Sequence, residues 1–503
     1  MLRADKAEQT LDARAICACA SLTLLLLSTH LLNAELFPRV AQVFPAGREL
    51  STYSGVGIAV AIAIAAYRRP GILHVRGFSL TCLVVLATGM AAMLTGLVSG
   101  NPAPIALGSP LGGISAWFFM LAGVALAKSG LQASTVVIPT AFMACYCMKG
   151  LLAIAAPDLP DAAAAMTYLA CVTGSYLFAR PAASELFGNL RRVPAPTDLD
   201  ITHPVSFLPL SSFVFVTIAV FSAACGFALA DARIEAGSAS VAGIAACAPM
   251  TFLFLIAAVL RRRLSADTLH SVSFLLVCGA LSSMPLVLLD AGGSIVQGAS
   301  SALMTAGSDC FTLLTYVLIS AVGARNPLAA LVTSSIAIAA EWLGIGCGAL
   351  IVQFTQGIFA GRPSAVACAA AIASVAFVAY NTYVAKHHSF CAAIDAIRPI
   401  SPAEAAALGS DDATPGSLPA EEHSEADAFA DRCAAVSQEF GLTNREADVL
   451  ALLARGRTAP VIQEKLVLSH NTVKTHVRHI YAKTGVHSQQ ELIDIVESGA
   501  AER

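Results

Sequence analysis

Two sets of residues in this chain have the types and spacing to do chemistry. Lys474 and Thr475 stand four and three positions before Arg478, a spacing that puts the three on one face of a helix. Val473, Val477, Ile480 and Tyr481 recur with the same period and form an apolar face. From Val467 to Gln490 there is no Asp or Glu, although residues 437–503 balance eight Lys and Arg against eight Asp and Glu. A neutral segment whose cations gather on one helix presents an anion-binding face. The second set is Asp309, Glu341 and Lys149, ionisable residues inside long apolar stretches. Charges in such places are costly and mark ligand pockets or pathways, unless they pair structurally with a neighbouring helix. Trp342 and Trp117 offer aromatic walls for a small-molecule ligand bound there, whereas Lys149 and His30 read as side chains reaching an interface.

The basic face needs a scaffold, and the flanking residues supply one. Thr443 to Glu446 has the spacing of a capping box, and the helix it opens runs toward Gly456, a residue suited to a C-cap. A short helix starts near Pro460, where a proline in the first turn costs nothing. A longer one follows from Ser469 to a stop at Gly485, and Ser488 to Glu491 has the spacing of a second capping box before an apolar stripe through Leu492, Ile493, Ile495 and Val496. This order predicts a four-helix unit of helix-turn-helix layout.

The pattern Leu442-Thr443-x-Arg445-Glu446, Val449-Leu450, Gly456, Ile462, Leu466, Ser469, Asn471-Thr472-Val473-Lys474, His476, Ile480-Tyr481, Lys483, Gly485-Val486, Ser488 and Leu492 resembles the LuxR (FixJ, NarL) family of bacterial DNA-binding domains over about sixty residues, Phe440 to Val496. The resemblance implies that Lys474, Thr475 and Arg478 reach base edges in the major groove. It implies that Ser469, Thr472, His476 and Lys483 lie against the phosphate backbone, contacts that set register without reading sequence. It further implies double-stranded DNA as partner and a homodimer on DNA, supported by the last helix. Three positions depart from the pattern: Thr458-Ala459-Pro460 opens the scaffold helix, Gln463 stands where Ala is usual, and Thr484 stands where Leu is usual.

Most of the chain is of another kind. Of 503 residues 56% are hydrophobic and only 13% charged, against roughly 25% charged in soluble domains. With a mean hydropathy of +0.72 the bulk belongs in the cell membrane. Apolar stretches long enough to span recur near 15–34, 51–67, 78–98, 106–127, 132–155 and 162–179, then near 207–230, 240–260, 271–289, 300–323, 327–352 and 363–384. These twelve predict an all-α twelve-helix transmembrane bundle over 1–384, in halves 15–179 and 207–384, ahead of the helix-turn-helix domain at 437–503. One side of that topology collects Arg3, Lys6, Arg14, Arg68, Arg69, Arg76, Lys128, Arg180, Arg191, Arg192, Arg261, Arg262, Arg263, Arg325 and Lys386, and the other only Arg39, Arg48, Arg233 and Arg362. The bias predicts both termini in the cytoplasm of an inner-membrane protein. Arginine clusters after the second span (Arg68, Arg69) and the eighth (Arg261 to Arg263) resemble the 6+6 arrangement of major facilitator transporters.

Between the two parts, residues 385–436 hold nine acids against Lys386, Arg398 and Arg432, and read as an acidic flexible linker able to cover the basic helix. No Gly-x4-Gly-Lys-[Ser/Thr] loop, catalytic constellation, metal spacing or disulfide framework occurs, so neither enzyme activity nor a cofactor or metal is expected. Nor is a cleavable signal peptide. The expectation is a membrane-bound transcriptional regulator responding to a small molecule or membrane signal through its bundle. The alternative is a secondary transporter with an accessory DNA-binding tail.

Overall fold

The computed structural model describes residues 13–156, 159–190, 207–209, 212–230, 265–291, 293–397, 399 and 422–498, and no strand occurs among them. The described chain divides into two compact units. One comprises the membrane helices up to Asp395. The other comprises the chain from Ala396 onward, together with Ala65–Ile72 and Phe187–Leu208.

Among the described residues ten helices are long and apolar enough to cross a membrane, and a shorter apolar helix, Phe213–Leu229, joins them. Helices are numbered here in chain order. The first half contains α1 (Ala13–His30), α2 (Phe37–Val43), α3 (Gly47–Arg68), α4 (Val75–Ser99), α5 (Pro102–Gly112), α6 (Ala116–Ser129), α7 (Leu131–Ala155) and α8 (Asp161–Leu190). A π-helical turn, Leu31–Leu36, joins α1 to α2, and a 3-10 turn, Gly113–Ser115, joins α5 to α6, so that each pair makes one span. The second half contains α9 (Phe213–Leu229), α10 (Ala266–Leu288), α11 (Gly293–Arg325), α12 (Ala330–Ile358) and α13 (Pro363–Tyr383). Eleven of the twelve expected spans thus coincide with helices. The remaining one, 240–260, lies outside the described residues, as do Arg261 to Arg263.

Hydrocarbon supplies no partner for a hydroxyl, and many of those in the spans turn back on their own helix. Thr23, Thr88, Thr140 and Thr167 each donate to the carbonyl four residues back, at 2.7–2.8 Å. The bundle ends are tied by charge. Arg14 and Lys128 meet on Glu185 at 3.6 and 3.1 Å, and Arg39 meets both Glu35 and Asp161 at 3.1 and 2.5 Å. Arg14 and Lys128 thus share one end of the bundle and Arg39 stands at the other, since Glu185 and Asp161 lie toward opposite ends of α8.

Close packing rests on small residues, because lipid tails leave no hydrophobic drive between helices. A Cβ built on Gly344 would meet the Ala219 carbonyl oxygen at 2.2 Å, and one on Gly348 would meet that of Ala223 at 2.1 Å. The backbones of α9 and α12 therefore touch through a Gly-x3-Gly step that any side chain would force apart. Gly348→Val is expected to break this contact, so that the full chain solubilised in detergent loses its monodisperse peak on size exclusion or melts at a markedly lower temperature. A Val substitution at Gly357, where a Cβ meets nothing within 4 Å, is the control that leaves both unchanged.

The connecting segment differs from the expectation of a flexible linker over 385–436. A short helix, α14 (Phe390–Asp395), packs on the membrane unit with Phe390 and Ile394 buried. A longer one, α15 (Glu422–Glu439), places Cys433 and Val436 in the core of the C-terminal domain. That core therefore begins before residue 437, because Cys433 and Val436 close an apolar surface that the four later helices leave open. Residues 400–421 lie outside the described residues.

Candidate nucleic-acid interface

The C-terminal domain is built from α15 and four further helices: α16 (Asn444–Leu453), α17 (Ala459–Leu466), α18 (His470–Thr484) and α19 (Gln489–Ser498). Their termini follow from the capping residues read in the sequence. Thr443 and Glu446 form the reciprocal capping box at the start of α16. The helix ends at Leu453, and Gly456, at φ 69°, takes the left-handed turn that follows. Pro460 lies in the first turn of α17. The Ser469 hydroxyl accepts from the Thr472 amide at 3.2 Å to open α18, and Gly485 at φ 72° closes it. At α19 the box is shifted by one residue: Ser488 accepts from the Glu491 amide, but the Glu491 carboxylate reaches the His487 amide at 2.8 Å rather than that of Ser488.

Val473, Val477, Ile480 and Tyr481 on α18 are buried against Val449, Leu450 and Leu453 of α16, Ile462 of α17, and Leu492 and Val496 of α19. That burial fixes the rotation of α18 about its axis. Thr475 and Arg478 are consequently exposed and Lys474 half-buried, with the three sharing a face directed away from the core. Thr475 donates its hydroxyl hydrogen to the Asn471 carbonyl at 2.9 Å, which leaves the oxygen free to accept. Ser469 and Thr472 sit at the N-terminal end of α18 with their hydroxyls 2.7 Å apart, Ser469 exposed and Thr472 half-buried. Unpaired amides and two hydroxyls at a helix N-terminus suit a phosphate. His476 is half-buried one turn on.

Lys483 has a role that the sequence did not reveal. Its ammonium donates to Glu446 Oε2 at 2.7 Å and to the Gly441 carbonyl at 3.0 Å, so two of its three donors tie α18 to the start of α16. Glu446, with only 4% of its side chain exposed, also accepts from the Thr443 amide at 2.8 Å and the Thr443 hydroxyl at 3.0 Å, and His479 Nδ1 lies 3.5 Å from its other oxygen. Burial alone would raise this carboxyl, but the hydrogen bonds from Lys483 and Thr443 outweigh it and hold the group at about 2. Gln489 is a second residue that pattern did not mark as structural. It is 2% exposed and its amide donates to the carbonyls of Leu453 and Arg457, capping the end of α16 from α19. The signal in both cases was a polar residue at a position the surrounding apolar period would bury.

The turn between α17 and α18 is strained. Val467 has φ 53° and ψ 49°, a left-handed conformation disfavoured for a β-branched residue, and is 90% exposed.

The intramembrane residues are brought together only in part. Asp309 on α11 accepts from the Tyr146 hydroxyl of α7. One turn on, the Thr312 hydroxyl donates to Glu341 of α12 at 3.2 Å. Lys149 lies 5.2 Å from the centre of the Tyr146 ring. Trp342 turns elsewhere, edge-on to Phe119 of α6 and against α3 at Gly55, whose Cβ would fall 2.2 Å from its ring. Trp117 is no pocket wall: it is fully buried, donates to the Ser79 hydroxyl at 2.8 Å and packs edge-on to Phe78.

Fold and site together define a polytopic helical membrane protein carrying a helix-turn-helix DNA-binding domain of the LuxR family. Residues 441–496 match the model of that family, GerE, the luxR family of bacterial regulatory proteins. Over 60 residues the chain is 46% identical to the fimbriae Z protein of Salmonella typhimurium, covering 12% of this chain and 29% of that one. Over 57 residues it is 47% identical to the uncharacterized response regulatory protein YgeK of Escherichia coli, covering 11% and 39%. The chain thus spans well under half the length of these relatives. Two solved structures are similar over most of the chain. The human organic anion transporter MFSD10 covers 73% of it with 15% identity and a TM-score of 0.48. The major facilitator superfamily proton:xylose symporter XylE covers 75% with 13% identity and a TM-score of 0.49.

Two predictions follow from the domain's own chemistry. Because the folded carboxyl of Glu446 lies below its ordinary value of 4.5, its contribution to stability is complete above pH 4.5 and is lost as pH falls toward about 2. A fragment spanning residues 422–503 should therefore lose stability over that window in urea titrations. Its Glu446→Gln variant should be weaker by about 2 kcal/mol at pH 7 and nearly flat between the two pH values. At the turn, Val467→Asn is expected to raise the unfolding free energy of the same fragment by about 1 kcal/mol, since an exposed side chain gives up strain and no packing.

Proposed function

We propose that the protein is a one-component transcriptional regulator held in the cytoplasmic membrane, with its DNA-binding domain and both termini in the cytoplasm. The observation that carries this reading is the rotation of α18. Its apolar side is locked in the core while Lys474, Thr475 and Arg478 share the opposite, acid-free face. In this reading those three side chains read base edges, Ser469, Thr472 and His476 set register on phosphates, and Lys483 lends its remaining donor to the backbone while holding α18 in place. Two copies meet on an inverted repeat, as the LuxR-family domain implies. Support for the orientation comes from the basic residues gathered on one side of the spans.

The input is a small molecule or membrane signal acting on the bundle, and Asp309 with Glu341 is where we place it. Each of these carboxyl groups sits near the middle of its helix and, among the described residues, is met by a side-chain hydroxyl. A ligand that favours one arrangement of α7, α11 and α12 over another shifts the equilibrium by its difference in affinity for the two.

The test is genome-wide DNA occupancy of the full-length, membrane-localised protein beside a Lys474→Ala, Arg478→Ala variant. Discrete sites lost in the variant are expected, with a fall of at least about tenfold, as loss of a good bidentate base contact is worth about 1–3 kcal/mol. Equal profiles for both proteins, at equal abundance in the membrane, would remove the regulator reading and leave solute movement through the bundle as the activity to measure.

A further inference from the structure

The eight residues 388–395, which follow the end of α13 at Tyr383, are fastened to three different helices of the membrane unit. The His388 ring stacks on Phe213 at the start of α9, with centroids 3.8 Å apart and planes at 21°. Asp267, in the first turn of α10, accepts from the Ser389 hydroxyl at 2.6 Å, the Phe390 amide at 2.7 Å and the Cys391 amide at 3.4 Å. Phe390 is 3% exposed and its ring centre lies 5.2 Å from that of His270 on α10. Arg325, the last residue of α11, donates to the Asp395 carboxylate at 2.5 Å and to its backbone carbonyl at 3.1 Å. Asp395 is the last residue of the membrane unit, and by sequence Ala396 begins the unit that carries the DNA-binding domain.

Attachments to α9, α10 and α11 within residues 388–395 can all be satisfied for only one relative placement of those helix ends. Hydrogen bonds weaken steeply beyond ordinary length and below about 120°. Sliding of packed helices by about 1–2 Å, the usual scale of such transitions, is therefore enough to break some attachments and keep others. These contacts lie beyond the regular helix α13, which ends at Tyr383, and join its continuation to helices other than α13 itself. Asp267 in particular lies on the first turn of its own helix, where a carboxylate ordinarily serves that helix's amides, and it serves the start of α14 instead.

We propose that residues 388–395 are a coupling strap, which reports the relative placement of α9, α10 and α11 to the DNA-binding domain by holding or releasing the chain that leads to it. This rests on the regulator reading above. Docked, the strap shortens that chain and fixes where it starts. Released, it lengthens the chain between the membrane helices and that domain and removes the anchor point.

The experiment compares occupancy of Lys474-dependent sites by the full-length protein in its membrane for three forms. These are the unaltered chain, a released form (Asp267→Asn with Arg325→Gln), and a locked form (Asp267→Cys with Ser389→Cys, the pair joined by an added thiol oxidant such as diamide, and Cys391→Ser removing the nearest competing thiol). Occupancy is expected to shift by about fivefold or more, in opposite directions for the released and locked forms, the scale of an ordinary allosteric coupling. Occupancy equal to that of the unaltered chain in both forms, at equal abundance, would overturn the proposal. If the released form is poorly inserted, the locked form alone decides. A chain whose sites do not depend on Lys474 and Arg478 fails as a regulator, and the strap's role falls with it. Amide exchange of the unaltered and released proteins in lipid nanodiscs gives an independent check: Phe390 and Cys391 should exchange at least tenfold faster on release, and unchanged exchange would show that these contacts hold nothing.

Discussion

Hydrocarbon offers no partner to a polar group, and nearly every feature of the membrane unit follows from that constraint. Backbone amides and carbonyls must be satisfied within each span, which leaves helices as the solution. Hydroxyls turn back on their own helix, as at Thr23 and Thr88, or cross to a neighbour, as Ser21 does to Ser175 at 3.0 Å. Helices approach through glycine where dispersion is the main attraction left to gain, so α9 and α12 meet at Gly344 and Gly348. Asp309 and Glu341 stand out against this background, since among the described residues each is met by a side-chain hydroxyl, from Tyr146 and Thr312.

The C-terminal domain solves the opposite problem. Water surrounds it, so polar groups need no internal partner and a small apolar core must do the ordering. Burying Glu446 inside that domain would be costly were it not hydrogen-bonded by Thr443 and paired with Lys483. Given those partners, one carboxylate caps α16 and fixes the far end of α18. The same α18 carries Lys474, Thr475 and Arg478, so Glu446 fixes the helix that bears the basic face from outside that face. The strap at residues 388–395 repeats the device at the other end of the connection, with Asp267 bridging two helices by giving its oxygens to amides that are not its own.

The sequence by itself determined the elements. Period and length gave the spans, since a stretch of about 20 apolar residues has few fates. Thr443, Glu446, Ser469 and Gly485 announced the helix ends, since each satisfies terminal groups within a few residues of itself. The apolar positions of α18 followed from the helical repeat, and with them the opposed face. These are local relations, decided by residues close in sequence.

Only the tertiary structure decided what depends on distant partners. Lys483 carries no local sign of its partner Glu446, 37 positions earlier, whose carboxylate takes one of its donors. Gln489 stands at a position the apolar period would bury, but nothing near it in sequence names its partner, the end of a helix 36 positions earlier. Trp117 reads from sequence as an aromatic wall, whereas its burial and its contact with Ser79 place it in the core. The acidic composition of residues 385–436 suggested a tether throughout, because composition averages over a segment. Residues 388–395 are held instead by Phe213, Asp267 and Arg325, and Cys433 and Val436 are buried by helices that follow them. Sequence pattern sets which groups a residue can satisfy, whereas the fold alone brings to it the group that it does satisfy.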